Sequence, residues 1–348
     1  MKLTGKLPGE VEVKESHPLT EESKKTIRDS RQELSQILTG KSDKKVLIIG
    51  PCSADYIEPL SKYAEKISEF RKKYGDKIEI IMRFYTGKPR TVGGWKGLSN
   101  STPGGEANIS KGIMESRELA VYLIEKYKIP LADEMLHPQF ANLFNDIYTY
   151  LAIGARSTEN QYHREVASGL EPIAIGFKNP TSGDIQTMVN SILAGQKASS
   201  FTIGDSIYDS SGNNLSHGIL RGGRINDINI SNFDIESLRK THLTLIEKGV
   251  INPGFIVDTN HENSNKRYKE QINIMIAVLE SISKLKNEGI NISDTFKGFM
   301  VESYLFDGRQ DWPKDNNPNS ITKGLSLTDP CIGIDETERF IEEMYGRL

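Results

Sequence analysis

The chain has 348 residues, 26% charged and 36% hydrophobic, which is the balance of a globular protein and excludes a disordered or fibrous one. Lys and Arg number 44 and Asp and Glu 47, so the formal net charge is −3, and charge gives no case for nucleic acid or an anionic membrane as partner. Two cysteines exclude a disulfide framework and suit a reducing compartment.

Residues 1–18 alternate Lys, Gly and Pro with single apolar residues and read as an extended arm. The arm has no apolar core of the kind a signal peptide needs, and no run in the chain is long enough to span a bilayer. The spacing predicts a helix over 20–38, with Ile27, Leu34, Ile37 and Leu38 on one side and Gly40 as the stop. Short β-rich runs follow at 46–50, 78–83, 130–133, 151–155, 173–177, 199–203, 255–258 and 298–301. Between them lie amphipathic stretches at 57–74, 113–127, 185–193, 233–248 and 266–285. Segment 204–223, with its Ser-Gly-Asn-Asn, reads as a hairpin insertion after the sixth strand, and 307–319 as a polar loop. A closing helix is predicted from 335, where Asp335 and Glu338 fit a capping box.

Strand and helix alternate throughout, which predicts a parallel sheet wrapped by helices. Eight strands in roughly 250 residues is the size of a (β/α)8 TIM barrel; an open doubly wound sheet is the second architecture. No break in composition divides the chain. We therefore expect one domain, a barrel over 46–348 preceded by an arm and helix over 1–45.

In such a barrel, chemistry belongs at the carboxyl ends of the strands. Taken in order, the strands are followed by Cys52, by Arg83 with Lys88-Pro89-Arg90-Thr91, by Glu134, Arg156, Lys178, Arg221, His261 and Glu302. One Arg or Lys there is ordinarily a solvated surface residue. A ring of them repels itself unless an anion neutralises it, and Arg offers bidentate contacts to phosphate and carboxylate. Cys52, His261, Glu302 and Asp329 show no compact metal-binding spacing. By spacing alone they read equally as a buried thiol, a loop histidine and two surface or capping carboxylates. The remaining histidines, His17, His137, His163, His217 and His242, are taken as structural. Glycine-rich dinucleotide, Walker-type and Gly-x-Ser-x-Gly motifs are absent.

Several stretches together resemble one family. They are Ile-Gly-Pro-Cys-Ser (49–53), Met-Arg-Phe-Tyr (82–85), Lys-Pro-Arg-Thr (88–91), Gly-Trp-Lys-Gly-Leu (94–98) and Ile-Gly-Ala-Arg-Ser-Thr-Glu (153–159). They continue with His-Arg-Glu-Val-Ala-Ser-Gly-Leu (163–170), Gly-Phe-Lys-Asn (176–179), Leu-Arg-Gly-Gly (220–223), Asp-Thr-Asn-His-Glu-Asn-Ser (258–264), Met-Val-Glu-Ser (300–303) and Leu-Thr-Asp-Pro-Cys-Ile-Gly (327–333). In this order the set resembles the type I 3-deoxy-D-arabino-heptulosonate 7-phosphate (DAHP) synthases.

The resemblance implies a TIM barrel that condenses phosphoenolpyruvate with erythrose 4-phosphate and water and releases phosphate, the first step of the shikimate pathway to aromatic amino acids. It implies one divalent metal ion (Mn, Fe, Co or Zn) on Cys52, His261, Glu302 and Asp329. Arg83, Lys88, Ala155, Arg156, Lys178 and Arg221 are implied for phosphoenolpyruvate, and Pro89, Arg90, Thr91 and Asp329 for erythrose 4-phosphate. Lys88, Cys52, His261 and Glu134 are implied as catalytic. Lys88, or a water on the ion, would protonate the new alkoxide, and Lys178 and Glu134 would place the attacking water. A cytoplasmic homodimer or homotetramer is expected, with no nucleic-acid or membrane partner.

Three departures are visible. Thr91-Val92-Gly93 stands where the family often has Thr-Thr-Val. Segment 316–327 is remodelled. Glu171 and Ile203 replace serines that line an inhibitor pocket in feedback-regulated members, so feedback by Phe or Tyr is not implied. A sibling octulosonate 8-phosphate synthase would carry a Lys-Ala-Asn-Arg type segment in place of Lys88-Pro89-Arg90-Thr91. An inactive regulatory barrel would be expected to have lost part of the ligand or cation set, which here is intact.

Overall fold

The computed structural model describes residues 1–348 apart from 91, 315 and 316. Apolar runs form eight parallel strands: β1 (Lys45–Gly50), β2 (Ile78–Arg83), β3 (Leu131–Glu134), β4 (Tyr148–Ile153), β5 (Ala174–Lys178), β6 (His217–Leu220), β7 (Phe255–Asp258) and β8 (Phe296–Glu302). Each pairs with its neighbour in sequence, and β8 returns to β1 to close a barrel. Helices cover the outer face and strand side chains fill the interior, so every strand is buried on both sides, as a parallel sheet requires. Closure needs glycine at 298. Its φ is +144°, and a Cβ there would lie 1.9 Å from the carbonyl oxygen of Val46 on β1.

The predicted sixth strand is the one that moves. Residues Ser199–Ile203 pair antiparallel with Ser206–Ser210 in a hairpin outside the barrel. Of these five, only Phe201 is buried, which a two-sided barrel stave cannot tolerate. The stave is His217–Leu220 instead, and all four of its residues are buried. A second hairpin, Gly223–Ile225 with Ile228–Ile230, follows β6. Insertions therefore flank β6 on both sides.

Two smaller expectations also change. The arm is not wholly extended: α1 (Glu10–Ser16) lies within it, with Val13 as its one buried residue, too sparse an apolar signal to show a period. The closing helix Ile334–Arg347 starts from Gly333, so Asp335 sits inside the first turn and makes no capping box. The Gly333 amide donates to Asp307 Oδ1 at 2.6 Å.

Helix α2 (Glu21–Leu38) buries Ile27, Leu34, Ile37 and Leu38 as its spacing predicts. Thr20 caps it by accepting from the Ser23 amide. Arg31 on this helix donates to the carbonyls of Asn145 and Tyr148, fastening α2 to the amino-terminal end of β4. Among the described residues no helix is long and apolar enough to cross a membrane.

Candidate active site

Barrel closure explains how residues far apart in sequence meet. Gly50 at the end of β1 is in register with Glu302 at the end of β8, and Cys52 follows two residues later. The loop before the closing helix is tied to the same place, since the Ile332 amide donates to the Glu302 carbonyl at 3.0 Å. One donor atom each from Cys52, Glu302 and Asp329 lies within 4.8 Å of the others. The Asp329 amide donates to Cys52 Sγ at 3.4 Å.

His261 stands beside this trio. Its Nε2 is 3.9 Å from Glu302 Oε1 and its Nδ1 is 2.9 Å from Asp258 Oδ2. The residue sits at φ 50°, in the left-handed region that non-glycine residues seldom occupy and that is held only where surrounding contacts dictate it. Two polar side chains aim Glu302. Arg83 Nη2 donates to Oε1 at 3.0 Å, and Asn260 Nδ2 donates to Oε2 at 2.7 Å.

The predicted cations gather around these acids. Lys88 Nζ donates to the carbonyl of Cys52 at 2.9 Å and to its sulfur at 3.0 Å. Lys178 donates to Asp258 Oδ2 at 2.9 Å. Arg221 pairs with Glu262. The Arg83 guanidinium lies 3.9 Å over the Tyr85 ring. Arg83 Nη1 and Arg221 Nη1 are both buried and have no hydrogen-bond partner. A cleft of about 390 Å³ opens here, lined by Lys88, Pro89, Arg90, Glu134, Ala155, Arg156, Lys178, Arg221, His261 and Asp329. Arg83, Cys52 and Glu302 are buried and are not part of its lining. Thr91 lies outside the described residues.

Charge is concentrated on side chains that are largely buried. Burial, then the charge of Glu302, pushes the Cys52 thiol up to about 11, while Lys88 opposes them. Burial works against the Lys88 ammonium, but Cys52, Glu302, Glu134 and Asp329 outweigh it and raise that group above the ordinary lysine value. Burial likewise disfavours the Asp258 carboxylate, yet His261 and Lys178 hold it well below the usual range. The arrangement suits holding a polyanion next to a cation-binding set of soft and hard donors.

The model of the DAHP synthetase I family matches residues 16–342. The chain belongs to that family. It is 35% identical over 334 residues to the phenylalanine-inhibited phospho-2-dehydro-3-deoxyheptonate aldolase of Saccharomyces cerevisiae, covering 93% of this chain and 86% of that protein. To the Trp-sensitive enzyme of the same name from Escherichia coli K12 it is 33% identical over 338 residues, covering 95% and 92%. The solved structure of the phospho-2-dehydro-3-deoxyheptonate aldolase of Francisella tularensis SCHU S4 superposes with a TM-score of 0.88 at 34% identity, covering 99% of this chain and 97% of that one.

In this member of the DAHP synthetase I family, three polar residues at the site were not among the candidates read from the sequence, although Asp258 and Asn260 lie within the 258–264 stretch. Asp258 bridges Lys178 and His261, Asn260 aims Glu302, and Lys266 lines the cleft. Asp258 is the last residue of β7, the same kind of position that singles out Arg83 at the end of β2. Asn260 and Lys266 act through a turn whose shape only the fold supplies.

Proposed function

We propose that this chain condenses phosphoenolpyruvate with erythrose 4-phosphate and water, giving 3-deoxy-D-arabino-heptulosonate 7-phosphate and phosphate, the first step of the shikimate pathway. The observation that carries the reading is the pair of buried, unpartnered guanidinium nitrogens, Arg83 Nη1 and Arg221 Nη1, the first on a side chain bonded to Glu302 of the Cys52, Glu302 and Asp329 donors and the second on a side chain that lines the cleft with Asp329. Buried N–H groups left unpaired are costly, and an anionic substrate removes that cost on binding.

Cys52, His261, Glu302 and Asp329 would hold one divalent ion. The approach of three of their donor atoms fits such a group, and thiolate, imidazole and carboxylate donors suit Mn, Fe, Co or Zn better than Mg or Ca. When bound, the ion supplies Lewis acidity toward the aldehyde oxygen. On this reading Lys88 and Lys178 on the cleft wall, with Arg83 buried off it, take the phosphoenolpyruvate carboxylate, while Arg156, Arg221 and the backbone at Ala155 hold its phosphate. Pro89, Arg90 and Asp329 receive erythrose 4-phosphate. Lys88, kept charged by its acidic neighbours, donates a proton to the alkoxide formed as C3 of phosphoenolpyruvate bonds to the aldehyde carbon. Lys178 and Glu134 orient the water that adds at C2, and phosphate then leaves by C–O cleavage.

Residues 1–45 form the amino-terminal unit and 46–348 the catalytic barrel. A cytoplasmic homodimer or homotetramer is part of this reading, supported by Ile225, Ile228 and Ile230 standing exposed on one hairpin. The test is phosphate release with phosphoenolpyruvate plus either erythrose 4-phosphate or arabinose 5-phosphate, with and without a chelator. Release that needs erythrose 4-phosphate and stops with chelator is expected. Absence of release with erythrose 4-phosphate, whatever metal is added, overturns the assignment.

A further inference from the structure

A second cavity of about 820 Å³, twice the volume of the catalytic cleft, lies at the opposite end of the barrel. Its wall is one face of α2, and it reaches the segment before β4 and the loop carrying Pro172. Chemistry in this architecture belongs at the carboxyl ends of the strands, so this cavity plays no part in the condensation. Its volume falls in the range of small-ligand pockets.

The charge lining it is lopsided. Lys14, Lys24, Arg28, Arg31, Lys41 and Arg117 face it with Glu15 and Asp146; Lys14 and Lys24 are paired with Glu10 and Glu21 beside it, which leaves the arginines and Lys41 in excess. Asp146 is already engaged, since the buried Arg117 holds both of its oxygens, at 2.7 and 2.9 Å. Arg31 is left with backbone carbonyls as its hydrogen-bond acceptors. Burial weighs against its guanidinium and lowers it to about 10, with Asp146 opposing. A partly buried cation that carbonyls orient but no carboxylate of its own neutralises is an anion receptor. Arg28 projects one turn earlier on the same helix face and is exposed. The floor beneath is apolar, formed by the buried Leu19 and Ile27. An inorganic ion would leave that floor wet; a ligand with an apolar body covers it.

We propose that this cavity binds a small organic acid, its carboxylate between Arg28 and Arg31 and its apolar body on Leu19 and Ile27. The site is independent of the catalytic rim and stands whether or not the condensation reading holds.

The test is calorimetric titration of the full chain with two probes, hexanoate for a chain-like body and hydrocinnamate for a ring, each beside its neutral amide. At least one acid should bind one per chain, and its amide roughly tenfold more weakly, because a charge-assisted pair is lost. Arg28→Gln and Arg31→Gln should each weaken the acid about tenfold. Arg31→Gln also removes the tie to Asn145 and Tyr148, so Arg28→Gln is the decisive variant; its melting temperature and phosphate release should match the parent. Failure of both acids to saturate at millimolar concentration overturns the proposal, as does equal binding of acid and amide. It falls equally if Arg28→Gln leaves acid affinity intact, or changes only the oligomeric state, which would make a second copy the occupant.

Discussion

His217 offers a test of the barrel interior that is independent of catalysis. It lies on β6 and is buried. Its Nδ1 is 2.9 Å from the Leu215 carbonyl, which can only accept, so Nδ1 carries the proton. Nε2, 2.9 Å from the Tyr150 hydroxyl, is then the acceptor, and the ring is neutral. Burial lowers its pKa to about 4, the Leu215 carbonyl opposes, and Lys297 adds to the lowering. In the unfolded chain the same group titrates near 6.5. Below that pH the unfolded chain takes up a proton that the folded chain refuses. The stability this ring supports is therefore whole above about pH 6.5 and drains away as pH falls toward 4. Linkage puts the loss at about 2 kcal/mol by pH 5 and about 3 kcal/mol by pH 4. His217→Gln keeps a side chain that donates and accepts but does not titrate. Its stability relative to the parent, from urea unfolding at several pH values, should improve by that amount between pH 7 and pH 4. Nitrogen-15 spectra of histidine-labelled protein, with the variant assigning one of six rings, should show His217 unchanged down to about pH 5. A ring that titrates near pH 6.5, or a stability difference flat with pH, would refute the buried neutral imidazole.

Three further outcomes follow from the geometry. Gly298→Ala should yield insoluble or molten protein by circular dichroism, because the added carbon meets the Val46 carbonyl on the strand that closes the barrel, at a φ alanine does not adopt. Arg83→Met should lower the stability of the metal-free protein by about 3–5 kcal/mol, read from thermal or urea unfolding, since Glu302 is left charged and buried without its ion partner; adding Glu302→Gln should return part of the loss. Asp258→Asn should weaken metal affinity by roughly 10–100-fold, measured by titration with Mn or Zn, because the second ring nitrogen of His261 loses its carboxylate. In the same variant the KM for phosphoenolpyruvate should rise, as Lys178 loses the group that aims it.

What the residues disclosed and what they hid divide along physical lines. Strands β1, β2 and β7 are dominated by β-branched or other apolar residues and could be read directly. Strand β6 is His-Gly-Ile-Leu, and two of its four residues argue against a strand when taken locally. A Cβ at Gly218 would come 2.8 Å from Met188 Cε, so a larger residue there would have to displace that side chain, and His217 is satisfied by Tyr150 across the interior. Both reasons are tertiary. The stronger local signal at 199–203 belongs to a hairpin that needs only its neighbour to form.

The site divides in the same way. A cation after a strand is visible from the chain alone, because every strand end of a parallel barrel faces one rim, whichever strands are neighbours. The candidate ion-binding set is not visible so, because Cys52 and Glu302 come together only when β8 pairs with β1. That pairing puts Glu302 opposite Gly50, and so beside Cys52, across a sequence separation that spacing rules do not search. The family motifs name the candidate set by likeness, and the barrel brings three of its members, Cys52, Glu302 and Asp329, within reach of one another. It follows that the donor set and the closure of the barrel rest on one element. A change that opened the β1–β8 seam would separate Cys52 from Glu302 without touching either. Metal affinity in barrel variants should therefore track the integrity of that seam more closely than overall helix content.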